Sequence, residues 1–280
     1  MPNRYDLAWI LLRPWGFFVD RLPRLRALRM GSDGAKIRSA LAIAFPDLSE
    51  GQRLRLMRAN LRQRAYNVGL TLFVAQLGRL AVWLARAIPI VDRDLVSSIL
   101  DGDRPLLLVS FHTGPIYLLL VAIWRGLAGR KVLVMHQEGG ALFGQIEGLL
   151  HRLGAESVPN STMAVRGLIR QLRGTERAIV MFGCDYAPGS QAVSFLGNNI
   201  RAADGVRLMR DATGADVLCV VWERVGILPR ARFARPLARS EDSPEQAARL
   251  VQRAFDELAP IVARAPHRWT AWETFVDRLL

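Results

Sequence analysis

The sequence predicts an α/β fold: a largely parallel central sheet flanked by helices, preceded by a helical N-terminal region. Two observations carry this. After Pro89, short apolar runs alternate with helical patterns, which is the signature of βαβ units. Before it, the chain shows helical spacing and no strand-like run. The chain has 280 residues, long enough for a substantial core, and 51% of them are apolar. The division expected is residues 1–90 as a helical region with a membrane-surface segment and 91–280 as an α/β domain, the two forming one continuous unit.

The elements follow in order. Leu7–Leu12 and Trp15–Val19 are apolar and aromatic, but Arg13-Pro14 interrupts them and the stretch is too short to span a bilayer. No small-residue cleavage site follows, so a signal peptide is not expected. Arg21, Arg24, Arg26 and Arg29 come next. Rings beside a basic cluster suit an interfacial helix on anionic lipid. From Ser49 to Arg86, Leu54, Leu61, Ala65, Val68 and Leu72 fall on one helix face. Strands are expected at Pro105–Phe111, Lys131–Met135, Ala155–Val158, Arg177–Phe182, Ala192–Leu196 and Asp216–Trp222. Ile227–Leu237 is expected as a last strand, at an edge because of its arginines. Helices are expected at 115–128, 141–153, 162–173 and 204–212. Ser243, Pro244 and Gln246 form a capping box, and an apolar stripe runs from Ala247 to Val262.

Several chemistries are excluded. There is no phosphate loop, no dinucleotide-binding glycine motif and no Gly-x-Ser-x-Gly elbow. Cys184 and Cys219 lack ligand spacing and fit core positions in a reducing compartment. His136-Gln137-Glu138 has half of a zinc deaminase motif without the cysteines, and His112, His136, His151 and His267 form no close pair. No metal is expected. The net charge of +13 draws the protein to anionic surfaces or acidic partners. No nucleic-acid-binding module accompanies it, so no nucleic-acid partner is expected.

His112 stands where the Pro105–Phe111 strand ends and a helix begins at Thr113-Gly114-Pro115. Ligands bind at that rim of an open α/β sheet, and the helix start offers free N–H groups.

Ser110-Phe111-His112-Thr113-Gly114, followed by a helix, resembles the His-x-Gly-x-x-acid block of the lipid A late acyltransferases, the lauroyl/myristoyl transferases of Gram-negative bacteria and their wider relatives. These stand among the lysophospholipid and glycerolipid acyltransferases that share a His-x-x-x-x-Asp/Glu motif. Further blocks are similar in order and spacing. They are Phe45–Glu50, Ser161–Asp185 with Arg166 and Leu172-Arg173-Gly174, Ser194–Gly197, Asp204-Gly205, Ala212–Val217 and Pro266–Trp269.

The resemblance implies a glycerolipid-acyltransferase-like fold and transfer of a fatty acyl group to a hydroxyl or amine of a lipid or glycolipid acceptor. The donor would be acyl carrier protein or an acyl-CoA thioester, with no bound cofactor. The site would lie at the cytoplasmic face of the bacterial inner membrane, on a peripheral or monotopic protein. His112 would be the general base.

The motif acid should lie five positions after the histidine, where this chain has Tyr117. A tyrosine can orient an imidazole but cannot offset its positive charge. Asp185 and Glu138 each follow a predicted strand and are candidate replacements, Asp185 being favoured; both also read as turn residues. Gly114 lies at the expected oxyanion site, and Arg166 is the expected clamp for a phosphate, or otherwise a solvated helix residue. The alternative function keeps the fold without catalysis, as a scaffold that binds lipid or carrier protein.

Overall fold

The structure is a computed structural model. It describes residues 32–76, 88–114, 116, 119, 123, 130–136, 147, 148, 150, 151, 154–174, 177–186, 188–225, 228–234, 236–239 and 242–280. The interfacial segment expected at 7–29 lies outside the described residues, as do parts of the helices expected at 115–128 and 141–153.

In chain order the elements are α1 (Ser32–Ala44), α2 (Glu50–Gln76), β1 (Ile90–Val91), α3 (Ser97–Leu100), β2 (Leu106–Ser110), β3 (Lys131–His136), β4 (Glu156–Pro159), α4 (Thr162–Gly174), β5 (Ala178–Gly183), β6 (Gln191–Phe195), β7 (Asn198–Ala202), α5 (Gly205–Thr213), β8 (Asp216–Val225), β9 (Leu228–Phe233), α6 (Pro244–Ala248) and α7 (Leu250–Arg264). Three 3-10 turns, Pro266–Arg268, Trp272–Thr274 and Val276–Arg278, follow.

Seven strands form the central sheet in the order β1-β9-β8-β2-β5-β3-β4. The five from β8 to β4 run parallel, as the alternating pattern predicts; only the β8–β9 pair is antiparallel. β2 lies in the middle and all five of its residues are buried. Its continuous apolar run is what a strand covered on both faces requires. Period-two alternation divides its side chains. Leu107 and Val109 join one core with Val180, Val217 and α7; Leu106 and Leu108 join the other with Ile179, Met181 and Leu218.

Three expectations are corrected. The strand expected at Ala192–Leu196 is not part of the central sheet. It is β6, paired with β7 in a separate antiparallel hairpin. Its two-residue turn places Leu196 at φ 51° and Gly197 at φ 76°, the left-handed pair that matches strand twist. The final strand is not an edge, because β1 adds two residues beyond it. Two of its arginines are paired within the sheet: Arg230 and Arg232 both bond to Glu223 on β8, each at 2.7 Å. The stripe expected on α2 is shifted in part. Leu61 is buried as expected, but together with Asn60, Asn67, Leu70 and Thr71, while Leu54, Ala65 and Val68 are half-buried; the expected helical span after Gln76 lies outside the described residues. The Asn60 amide donates to the carbonyls of His267 (3.0 Å) and Trp269 (2.6 Å), so this face docks through hydrogen bonds as well as packing.

Both halves of the capping box at Ser243 and Gln246 are formed. The helix it opens breaks at Arg249 before continuing as α7. Among the described residues no helix is long and apolar enough to cross a membrane.

Candidate active site

The site is built where adjacent parallel strands end together. β2 and β5 pair with Ser110 opposite Gly183. Two residues further on each chain lie His112 and Asp185, so strand register alone brings an imidazole and a carboxylate to one rim.

The Asp185 carboxylate is fully buried and accepts three hydrogen bonds. Oδ1 lies 2.7 Å from His112 Nδ1. Oδ2 accepts from the His112 backbone N–H at 3.0 Å and from the Trp269 indole N–H at 2.6 Å. The main chain of the histidine is held on its other side as well: its carbonyl accepts from the Thr270 backbone N–H (2.8 Å) and from the Thr270 hydroxyl (2.9 Å). Beneath the aspartate, Arg278 Nη1 donates to the Asp185 carbonyl at 2.6 Å.

This geometry decides the charges. Burial alone would raise the Asp185 carboxyl. The His112 charge, the ring and backbone hydrogen bonds from His112 and the Trp269 indole outweigh it and hold the carboxyl below its ordinary value. Burial alone would lower the His112 imidazole. The Asp185 charge and hydrogen bond, with a contribution from Glu273, outweigh that and raise it above its ordinary value. A carboxylate on Nδ1 fixes the proton there in the neutral ring and leaves the Nε2 lone pair for another molecule. Among the described residues nothing hydrogen-bonds to Nε2, and the side chain is 31% exposed.

Two glycines make room. A Cβ on Gly183 would stand 2.7 Å from His112 Cε1, so the imidazole lies directly over this residue. A Cβ on Gly114 would stand 2.2 Å from the Trp222 indole. The expected oxyanion-site residue is thus a close-packing point that seats the turn after β2 against β8. Thr113 reinforces the seat through its hydroxyl, 3.4 Å from the Trp222 carbonyl.

Of the residues singled out in the sequence, the structure joins His112 and Asp185 and sets Gly114 beside them. Arg166 lies in the first turns of α4, which follows the far edge strand β4; it is exposed, and no contact among the described residues ties it to the pair. Tyr117 and Glu138 lie outside the described residues. Sequence reasoning missed the clamp. Trp269 was visible only as part of an aromatic block, while Thr270, Gly183 and Tyr186 carried no signal. Tyr186 packs its ring against His112 with centroids 5.3 Å apart, and its hydroxyl donates to Glu273 at 3.1 Å.

No curated protein matches the chain. The profile of the bacterial lipid A biosynthesis acyltransferases matches residues 15–273. That span takes in all of the sheet and every residue of the His112–Asp185–Trp269 cluster, and on this extent of agreement the chain belongs to the bacterial lipid A biosynthesis acyltransferase family.

Proposed function

We propose that the protein transfers a fatty acyl group from a thioester to a hydroxyl or amine of an amphipathic lipid acceptor, with His112 as general base and Asp185 in place of the missing motif acid. The observation that carries this is the 2.7 Å contact between His112 Nδ1 and a buried carboxylate on a partly exposed ring. Family membership supports the reaction class.

The acceptor O–H or N–H gives its proton to His112 Nε2, and its oxygen or nitrogen attacks the thioester carbonyl. Asp185 stabilises the imidazolium that forms. Negative charge develops on the carbonyl oxygen and is met by N–H groups at the helix start near Gly114 and Ile116. Collapse expels the thiolate, which takes the proton from His112. An ester or amide and a free thiol result. Tyr117 is not needed as the orienting acid on this reading.

The donor is acyl carrier protein or acyl-CoA. The net charge of +13 suits an acidic carrier and an anionic membrane surface alike. We place the reaction at the cytoplasmic face of the inner membrane, with the interfacial segment at 7–29 as the anchor.

Purified protein on anionic vesicles, offered each thioester class, tests this by mass spectrometry of the lipids formed. Acylated product is expected with the native protein and none above background with His112→Ala, whose circular dichroism stays native. Native turnover in that variant would exclude His112 as the base. A native protein that binds both substrates and acylates neither would make it a scaffold.

A further inference from the structure

A second buried carboxylate lies behind His112, on the opposite side of Tyr186. Glu273 belongs to the 3-10 turn Trp272–Thr274, and its side chain is 10% exposed. Its Oε1 is held by Arg64 Nη2 of α2 at 2.9 Å and accepts from the Tyr186 hydroxyl at 3.1 Å. Its Oε2 is buried and has no hydrogen-bond partner among the described residues. Leaving a buried carboxylate oxygen unpaired is costly. A position that served packing alone would be filled more cheaply by an apolar side chain.

The placement gives the residue a role. Glu273 reaches the imidazole through one side chain, because the Tyr186 ring is tilted at 49° against the His112 ring. It is also four residues from Trp269 and three from Thr270, the two residues that grip Asp185 and the His112 carbonyl. One short stretch of chain therefore contacts the histidine from below through Asp185, along its backbone, and across its ring face.

We propose that Glu273 is a second positioning carboxylate of the base: through Tyr186 it fixes the tilt of the His112 ring, and its charge favours the imidazolium form. This rests on the reading of His112 as the base. Among the described residues, the charged and titratable groups around the ring enter the balance as follows in sign. Asp185 and Glu273 favour the imidazolium, and Arg64 opposes Glu273. Asp33, 3.3 Å from Arg64, offsets that opposition. Arg278, beneath Asp185, opposes it. Tyr186, pushed up to about 12 by burial and by Glu273, stays a neutral donor throughout the working range. Cys184, next to Asp185, stays a neutral thiol, since burial pushes it well up.

The test reads the ring directly. The protein has four histidines, so an NMR titration resolves His112, identified by the resonance lost in His112→Ala. Glu273→Gln keeps the side-chain shape and removes the charge. It is expected to lower the His112 midpoint by roughly half a pH unit, since Arg64 already cancels part of the field. The acid limb of kcat/KM should move by the same amount. Tyr186→Phe keeps the ring but breaks its tie to the carboxylate, which Arg64 still holds; it should move the midpoint the same way, by less, because a ring with a looser tilt bonds Asp185 less well. If Glu273→Gln lowers only the melting temperature and the midpoint holds, the proposal is overturned. If that variant does not fold, an unmoved midpoint in Tyr186→Phe overturns it equally. The titration needs no turnover, so its outcome stays separable from whether His112→Ala abolishes transfer.

Discussion

Two of the buried arginines stand at opposite rims of the sheet, and they do different work. Arg130, 6% exposed, stands just before β3 on the N-terminal rim. It donates to the carbonyls of Ile99, Leu100, Gly102 and Arg104, all of them backbone. Arg278, 0% exposed, stands at the C-terminal rim. It donates to the carbonyls of Arg201 (2.8 Å) and Asp185, lies 5.4 Å from the Phe255 ring centroid, and has no hydrogen-bond partner for Nη2 among the described residues. The first closes a loop that would otherwise bury unpaired carbonyls. The second braces the main chain of a carboxylate that faces a titratable ring. Equal burial thus serves closure at one rim and the working pair at the other, as the rim rule for parallel sheets leads one to expect.

Substitutions at the two rims should have effects of graded size. Asp185→Asn should have the largest effect, lowering kcat by about 10⁴-fold, the scale seen when a base loses its orienting carboxylate. The pH profile should follow. The rate rises as His112 loses its proton, and the native limb lies above the ordinary histidine value because Asp185, against the effect of burial, favours the charged ring. Asparagine should move that limb down by about one pH unit or more. Arg130→Met should act on the other rim. Four carbonyls lose their donor, so the urea midpoint should fall by the equivalent of about 3 kcal/mol with kcat unchanged. Gly183→Ala returns to the chemical rim. The Cβ displaces the pinned imidazole, and a misplacement of that kind costs on the order of 10²-fold in kcat. Stability should change little, because Gly183 is exposed. Loss of folding in Gly183→Ala, or loss of activity in Arg130→Met, would dissolve the contrast between the rims.

The smallest effects concern stability alone. Asp185 is held below its ordinary value in the fold. Its stabilising contribution is complete above the unfolded aspartate range and is lost as the pH falls through the lowered value. A plot of melting temperature against pH should flatten there in Asp185→Asn. Ser243→Ala removes the cap of α6 and should cost about 1 kcal/mol with no kinetic consequence.

Much of this was legible in the sequence where burial leaves a continuous apolar run. β2, β3, β5 and β8 are of that kind, and each starts within a residue of its expected place. β7 was not legible: Asn198-Asn-Ile-Arg-Ala202 buries only alternate residues and reads as a polar turn. β1 has two residues, too few for any periodicity. His112 and Asp185 could each be assigned to the end of a strand. Their adjacency could not, because β3 and β4 intervene in the chain and strand order is a tertiary property. The clamp from Trp269 and Thr270 was further out of reach. It comes from irregular chain that acts through an indole N–H, a hydroxyl and a main-chain amide, none of which has a periodic signature.

Thr270 ties this to the order in which the protein is made. Its two bonds to the His112 carbonyl reach back across 158 positions. A ribosome therefore exposes every strand of the sheet before it delivers the residues that grip the base. A nascent chain can assemble its sheet well before its imidazole is held, and competence arrives late, when the segment from Trp269 to Arg278 closes over the finished rim.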